Sequence, residues 1–139
     1  MKINTRTVEL TKAQIDGLNT GSPVPLDILA PPASGYAIVI HAAQFWKTAG
    51  GAATAGTSDI DLSYGSGTKS IGRFTNVDAA GGALGSSSQN LVQNMLIDGT
   101  NAVAASGKSV SISASAAIVC AASTKANISI DFEIKKLTI

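Results

Sequence analysis

Two side chains in this sequence could together carry out nucleophile–base chemistry, His41 and Cys120, and each is the sole residue of its type. That chemistry needs the nucleophile within hydrogen-bond reach of a base, and a third group to orient the base. No Asp or Glu lies near His41 in the chain. Cys120 falls on the apolar side of an alternating stretch, where a free cysteine behaves as a small hydrophobe. His41 reads as a strand residue at an interface or as a satisfied core histidine. One cysteine forms no intrachain disulfide and supports no zinc cluster.

The other candidates are weaker. Asp59-x-Asp61 places two carboxylates on one outward strand face, but calcium takes six to eight oxygen ligands, so a solvated face is the better reading. Gly65-Ser66-Gly67-Thr68-Lys69-Ser70 ends like a phosphate-binding loop. The pattern G-x-x-x-x-G-K-[ST] needs glycine where Ser63 and Thr68 stand, and no helix follows, so this is a hairpin turn. Asn127-Ile128-Ser129 matches a glycosylation sequon inside a strand. The serines at 109, 111, 113 and 115 could form a carbohydrate- or ice-facing ladder, or a flat small-residue face that a second sheet or subunit approaches closely. No catalytic constellation assembles. The expectation is a non-enzymatic protein with no cofactor and no metal.

Composition bounds the rest. A chain of 139 residues fits one domain, here 1–139, with residues 1–22 as an edge strand or an arm plus one turn of helix. Charged residues are 14%, against about 25% for an average soluble domain, and Ala, Ser, Gly and Thr make up the bulk. A weakly charged surface is poorly defended against association, so part of it is expected to be covered in an assembly. Net charge is +1 without a basic cluster, which argues against direct nucleic-acid binding. Neither a signal peptide nor an apolar run of the roughly 20 residues that span a membrane is visible.

The elements that would position any site are strands. Gly35 to Lys47 holds three of the six aromatics and is apolar on both alternating sets: Tyr36, Ile38, Ile40, Ala42 and Trp46 on one side, Ala37, Val39, Ala43 and Phe45 on the other. Such a run marks a strand covered on both faces. Ile60, Leu62 and Tyr64 alternate with Asp59, Asp61 and Ser63. Val110 through Cys120 and Ile128 through Ile134 alternate likewise, and a phase change at Lys135-Lys136 suggests a β-bulge. Thr11 and Gln14 form a capping box with Leu10 and Ile15 as staple, and Gly17 ends that helix in a left-handed cap. Leu91, Val92, Met95 and Leu96 fit a short helix slightly better than a strand, with the β reading open. The stretches 48–57 and 76–88 are small-residue loops. About seven to nine short strands and one or two very short helices give an all-β chain, an antiparallel β-sandwich or jelly roll.

Leu26-Asp27-Ile28-Leu29-Ala30-Pro31-Pro32-Ala33-Ser34-Gly35, leading into Tyr36 to Ile40, resembles a segment of small β-rich virion proteins of tailed bacteriophages. Asp59-Ile60-Asp61-Leu62-Ser63-Tyr64-Gly65, Ser111 to Ala116 and the closing alternation of Ile128 to Ile134 are similar too. The resemblance implies a head decoration (cement) or minor capsid protein, less often a tail or fibre part. The expected protein coats the outer capsid surface, assembles in the host cytoplasm as a homo-oligomer (a trimer is favoured), and contacts the major capsid protein. The alternative is a carbohydrate- or receptor-binding module of a tail or fibre, against which the inward placement of Tyr36, Trp46 and Tyr64 counts. Val39, His41, Phe45, Ser111 and Ser113 are the expected interface residues. On that reading Phe45→Ser weakens assembly more than the isolated fold.

Overall fold

A computed structural model describes residues 2–65, 69–97 and 106–137. Within them the chain is nearly all β: β1 (Asn4–Thr11), α1 (Lys12–Asp16), β2 (Leu26–Leu29), β3 (Tyr36–Ala49), β4 (Ile60–Tyr64), β5 (Lys69–Phe74), β6 (Gln93–Asn94), β7 (Leu96–Ile97), β8 (Val110–Ala114) and β9 (Lys125–Lys136). All named pairings are antiparallel. One sheet runs β1-β9-β3-β6 and the other β2-β8-β4-β5-β7. The architecture is the sandwich-like, all-β one that the alternating patterns imply.

The core forms where those patterns converge. Ile60, Leu62 and Tyr64 of β4, Val110, Ile112 and Ala114 of β8, and Ala126, Ile128 and Ile130 of β9 are all buried, each set separated by residues of the opposite face. Thr11 caps α1 with the expected reciprocal bonds to Gln14, and Leu10 and Ile15 are fully enclosed. Gly17 departs from expectation: its φ of −73° is right-handed. Its amide still reaches back to the Ala13 carbonyl at 3.0 Å. Of the two readings of the first residues, the edge strand is the one formed: β1 ends its sheet and pairs with β9 from Asn4↔Phe132 to Thr11↔Lys125 without a register shift.

The central strand differs from its sequence pattern in one decisive respect. The register of β3 against β9 shifts between Ile40 and Ala42, and again between Lys47 and Ala49. His41 is the extra residue at the first shift. A bulge of this kind moves every later side chain to the other face. Ile38 and Ile40 point toward the core, and beyond the bulge Ala43, Phe45 and Lys47 take over that role. Trp46 therefore lies on the outer face, not beside Ile38. The phase change assigned to Lys135-Lys136 is absent from the pairing, which runs regularly to Tyr36↔Lys136.

Residues 91–97 are extended, not helical. β6 and β7 are two halves of one segment with only Met95 between them; β6 pairs with β3 and β7 with β5. The Met95 amide donates to Ala43 O at 2.9 Å. The two sheet edges satisfy backbone groups that a one- or two-turn helix could barely hold on its own. This segment joins the sheets along one side, and on the other side the outermost strands are β1 and β2.

The small-residue loops are packed together instead of projecting. The Ala53 amide donates to Leu84 O and the Gly56 amide to Asp78 O. Asp78, itself buried, accepts from the Ser58 amide at 2.8 Å and the Ser58 hydroxyl at 2.9 Å. Lys47 is fully enclosed between the loops, its ammonium donating to Gly51 O at 2.7 Å and to Ser86 O. Burial lowers its pKa. The regular part of the Val110–Cys120 stretch ends at Ala114, although Ile118 and Cys120 continue the buried parity. Ser66, Gly67 and Thr68 of the hairpin turn lie outside the described residues.

Candidate functional site

The outer face of the four-stranded sheet carries a polar lattice. Three rows run across it in register: Glu9, Asn127 and Trp46; then Thr7, Ser129, Gln44 and Asn94; then Thr5, Asp131 and Ala42. Side chains within the rows bond to one another. Thr5 Oγ1 donates to Asp131 Oδ1 at 2.6 Å, Thr7 Oγ1 to Ser129 Oγ at 3.3 Å, and Gln44 Nε2 to Asn94 Oδ1 at 3.1 Å. At the bulge, His41 Nε2 meets Glu133 Oε1 at 3.1 Å. A groove of about 440 Å³ lies over this lattice, with Gln44, Asn94, Ser129 and Asp131 in its floor and Met95 and Ile97 among its apolar lining.

The expected interface residues do not come together. Phe45 is fully enclosed, its ring 5.7 Å from that of Phe74, because the bulge at His41 turns it into the core. Ser111 and Ser113 are also buried within the chain. Ser111 Oγ donates to Gly65 O at 2.5 Å and lies 3.4 Å from the Ser63 hydroxyl. These three are therefore corrected from interface to interior. Val39 is half-buried and His41 exposed, both on β3.

The two candidates for nucleophile–base chemistry hold separate partners. His41 engages Glu133. Cys120 is buried, and its thiol is pushed up to about 12 by burial first and by Asp16 second. Its backbone amide donates to Asp16 Oδ1 at 2.9 Å, and its carbonyl accepts from Lys12 Nζ at 2.8 Å. Burial acts to raise the Asp16 pKa, but bonds from Lys12 and Cys120 outweigh it and the net shift is downward.

Asp59 and Asp61 each have protein partners. Asp59 Oδ1 accepts from the Asn76 amide at 2.9 Å. Asp61 lies 3.7 Å from Arg73, and burial raises its pKa despite that cation. Among the described residues no group of three or more His, Cys, Asp or Glu could hold a metal ion, and no helix is long and apolar enough to cross a membrane.

Against protein-family models, curated proteins and solved structures, the chain has no match.

The groove residues escaped sequence reasoning because each looks unremarkable alone. Ser129 and Asp131 read as the solvated face of an alternating strand, and Gln44 as an interruption in an apolar one. A polar residue at every outward place of β9 is the visible signal; the bulge that brings Gln44 and Trp46 to the same face is not.

Proposed function

We propose that this chain is a non-enzymatic virion structural protein of the tailed-bacteriophage decoration type, which coats the outer capsid surface as a homo-oligomer, a trimer on the favoured reading. The observation that carries this is the seam between the two sheets. Leu91, Val92, Leu96 and Ile97 are 44%, 53%, 59% and 60% exposed within seven consecutive residues. Contiguous exposed aliphatics on a soluble domain mark an interaction surface. The scarcity of charge removes the usual electrostatic barrier to association, and the resemblance of Leu26 to Ile40 to phage virion proteins points the same way. The separate commitments of His41 and Cys120 support a structural over a catalytic role.

In such an assembly the seam of one subunit packs on a different surface of the next. Repeated contacts of this head-to-tail kind close into a ring when the rotation between neighbours divides the full circle, here into three. The major capsid protein would be met by the same ring, formed in the host cytoplasm before or during coating of the shell.

Solution mass by light scattering and co-sedimentation with capsids of the phage that carries the chain test the proposal. The expected result is a trimer that pellets with capsids, and a Leu96→Ser/Ile97→Ser variant that is monomeric yet melts within a few degrees of the parent. A monomer at all concentrations that stays in the supernatant would overturn it.

A further inference from the structure

We infer that the groove on the outer face of the β1-β9-β3-β6 sheet binds a neutral oligosaccharide. The groove borders the seam and shares Ile97 with it, but sugar binding there needs no assembly through the seam. Its volume, about 440 Å³, falls within the roughly 300–1,000 Å³ of small-molecule sites. Its chemistry excludes most other occupants. Among the described residues no Lys or Arg lines it, and its one basic lining residue, His41, is engaged by Glu133, so it offers little counter-charge for a phosphate or sulfate. Asp131 is its one lining carboxylate, too few oxygen ligands for a hard cation. Its floor holds Gln44, Asn94, Ser129 and Asp131 beside Ala42 and Ala43, and covering those four polar groups with a lipid chain would be costly.

A sugar is recognised by groups that donate and accept in one plane and by apolar surface for its C–H faces. Both are present. The Gln44–Asn94 amide pair and the Thr5–Asp131 pair stand in adjacent rows. Gln44 Oε1 accepts no hydrogen bond from the described residues, and Asp131 Oδ2 likewise accepts none from a side chain there, so each has acceptor capacity left for a hydroxyl. Met95 and Ile97 supply the apolar wall. The row from Thr7 to Asn94 crosses four strands, roughly 14 Å at the usual strand spacing, long enough for two to three hexose units. Trp46 is two residues from Gln44 on the same strand face, roughly 7 Å away, and half-buried. Its indole can carry the next ring.

Chemical-shift mapping on ¹⁵N-labelled protein provides the test. The probes are maltohexaose, cellohexaose, laminarihexaose, β-1,4-galactohexaose and hexa-N-acetylchitohexaose, each to about 10 mM. At least one is expected to shift the side-chain amides of Gln44 and Asn94 and the backbone amides of Ser129 and Asp131. Gln44→Ala and, separately, Asp131→Asn are expected to weaken that probe about tenfold, which corresponds to 1.4 kcal/mol, with the melting temperature unchanged. Should either variant misfold, Thr5→Val reads the same contact from β1. The inference is overturned if no probe shifts these residues, if shifts fall elsewhere on the chain, or if folded variants bind as the parent does.

Discussion

The hydroxyl of Tyr64 donates to the carbonyl of Ile38 at 2.6 Å inside the core, and this bond ties β4 of one sheet to β3 of the other. Most side-chain contacts between the sheets are apolar and non-directional; this one is directional. Tyr64→Phe removes the donor and little volume. The expected cost is about 1 kcal/mol, the usual net value of such a bond, measured as a lower urea midpoint with unchanged slope. An unaltered midpoint would show that packing alone sets the spacing of the sheets.

Cys120 gives the fold a pH dependence of calculable sign. Burial and Asp16 raise its thiol from 9.0 to about 12, so the unfolded chain loses the proton first. The contribution is fully present below pH 9 and is lost as pH rises through about 12. Cys120→Ala is expected to be less stable than the parent at neutral pH but flatter between pH 9 and 12, followed by chemical unfolding at fixed ionic strength. If the variant falls as steeply as the parent, the alkaline transition belongs to another group. Tyr64, whose pKa burial also raises, is then the first to examine.

Phe45 separates a core role from an interface role. Its ring is enclosed and packs on Phe74, so Phe45→Ala is expected to cost about 3–5 kcal/mol, the range for emptying a buried aromatic site. Phe45→Ser adds an unpaired hydroxyl and should unfold the isolated subunit. Circular dichroism at low protein concentration decides the matter. A folded, monomeric Phe45→Ser protein would return this residue to the interface.

How much of this was legible in the sequence follows from which signals are local. Alternation in 60–64 and 128–134 exposed the two-sheet class and most of the core, because a period of two leaves one face to bury. The capping box at Thr11 and Gln14 is equally local, and it formed. The helical spacing of Leu91, Val92, Met95 and Leu96 misled, because pairing partners on β3 and β5 lie far away in the chain. The largest shortfall came from one residue. With both parities of 36–46 apolar, nothing in the run marks the extra residue at His41, yet that bulge decides that Phe45 is core and Trp46 is surface. The outer-face groove depends on the same bulge, together with the β1–β9 register, and so could not be read before the strands were paired.

Gly72 holds the seam closed. It pairs with Ile97 across β5 and β7, and a Cβ at this position would stand 2.6 Å from the Leu96 carbonyl and 2.7 Å from the Met95 sulfur. The methionine could swing aside, but the carbonyl belongs to the strand itself, so the 95–97 segment must move outward. Gly72→Ala is therefore expected to cost about 1–3 kcal/mol, typical of overpacking, and to speed amide exchange selectively in residues 93–97. Gly81→Ala is the matched control, since a Cβ there meets nothing within 4 Å. The displaced segment carries Leu96 and Ile97, so in the proposed assembly an opened seam should also lower the oligomeric mass in proportion to the exchange it shows. Equal stability and equal exchange in the two variants would mean that the sheets close without the contact at Gly72.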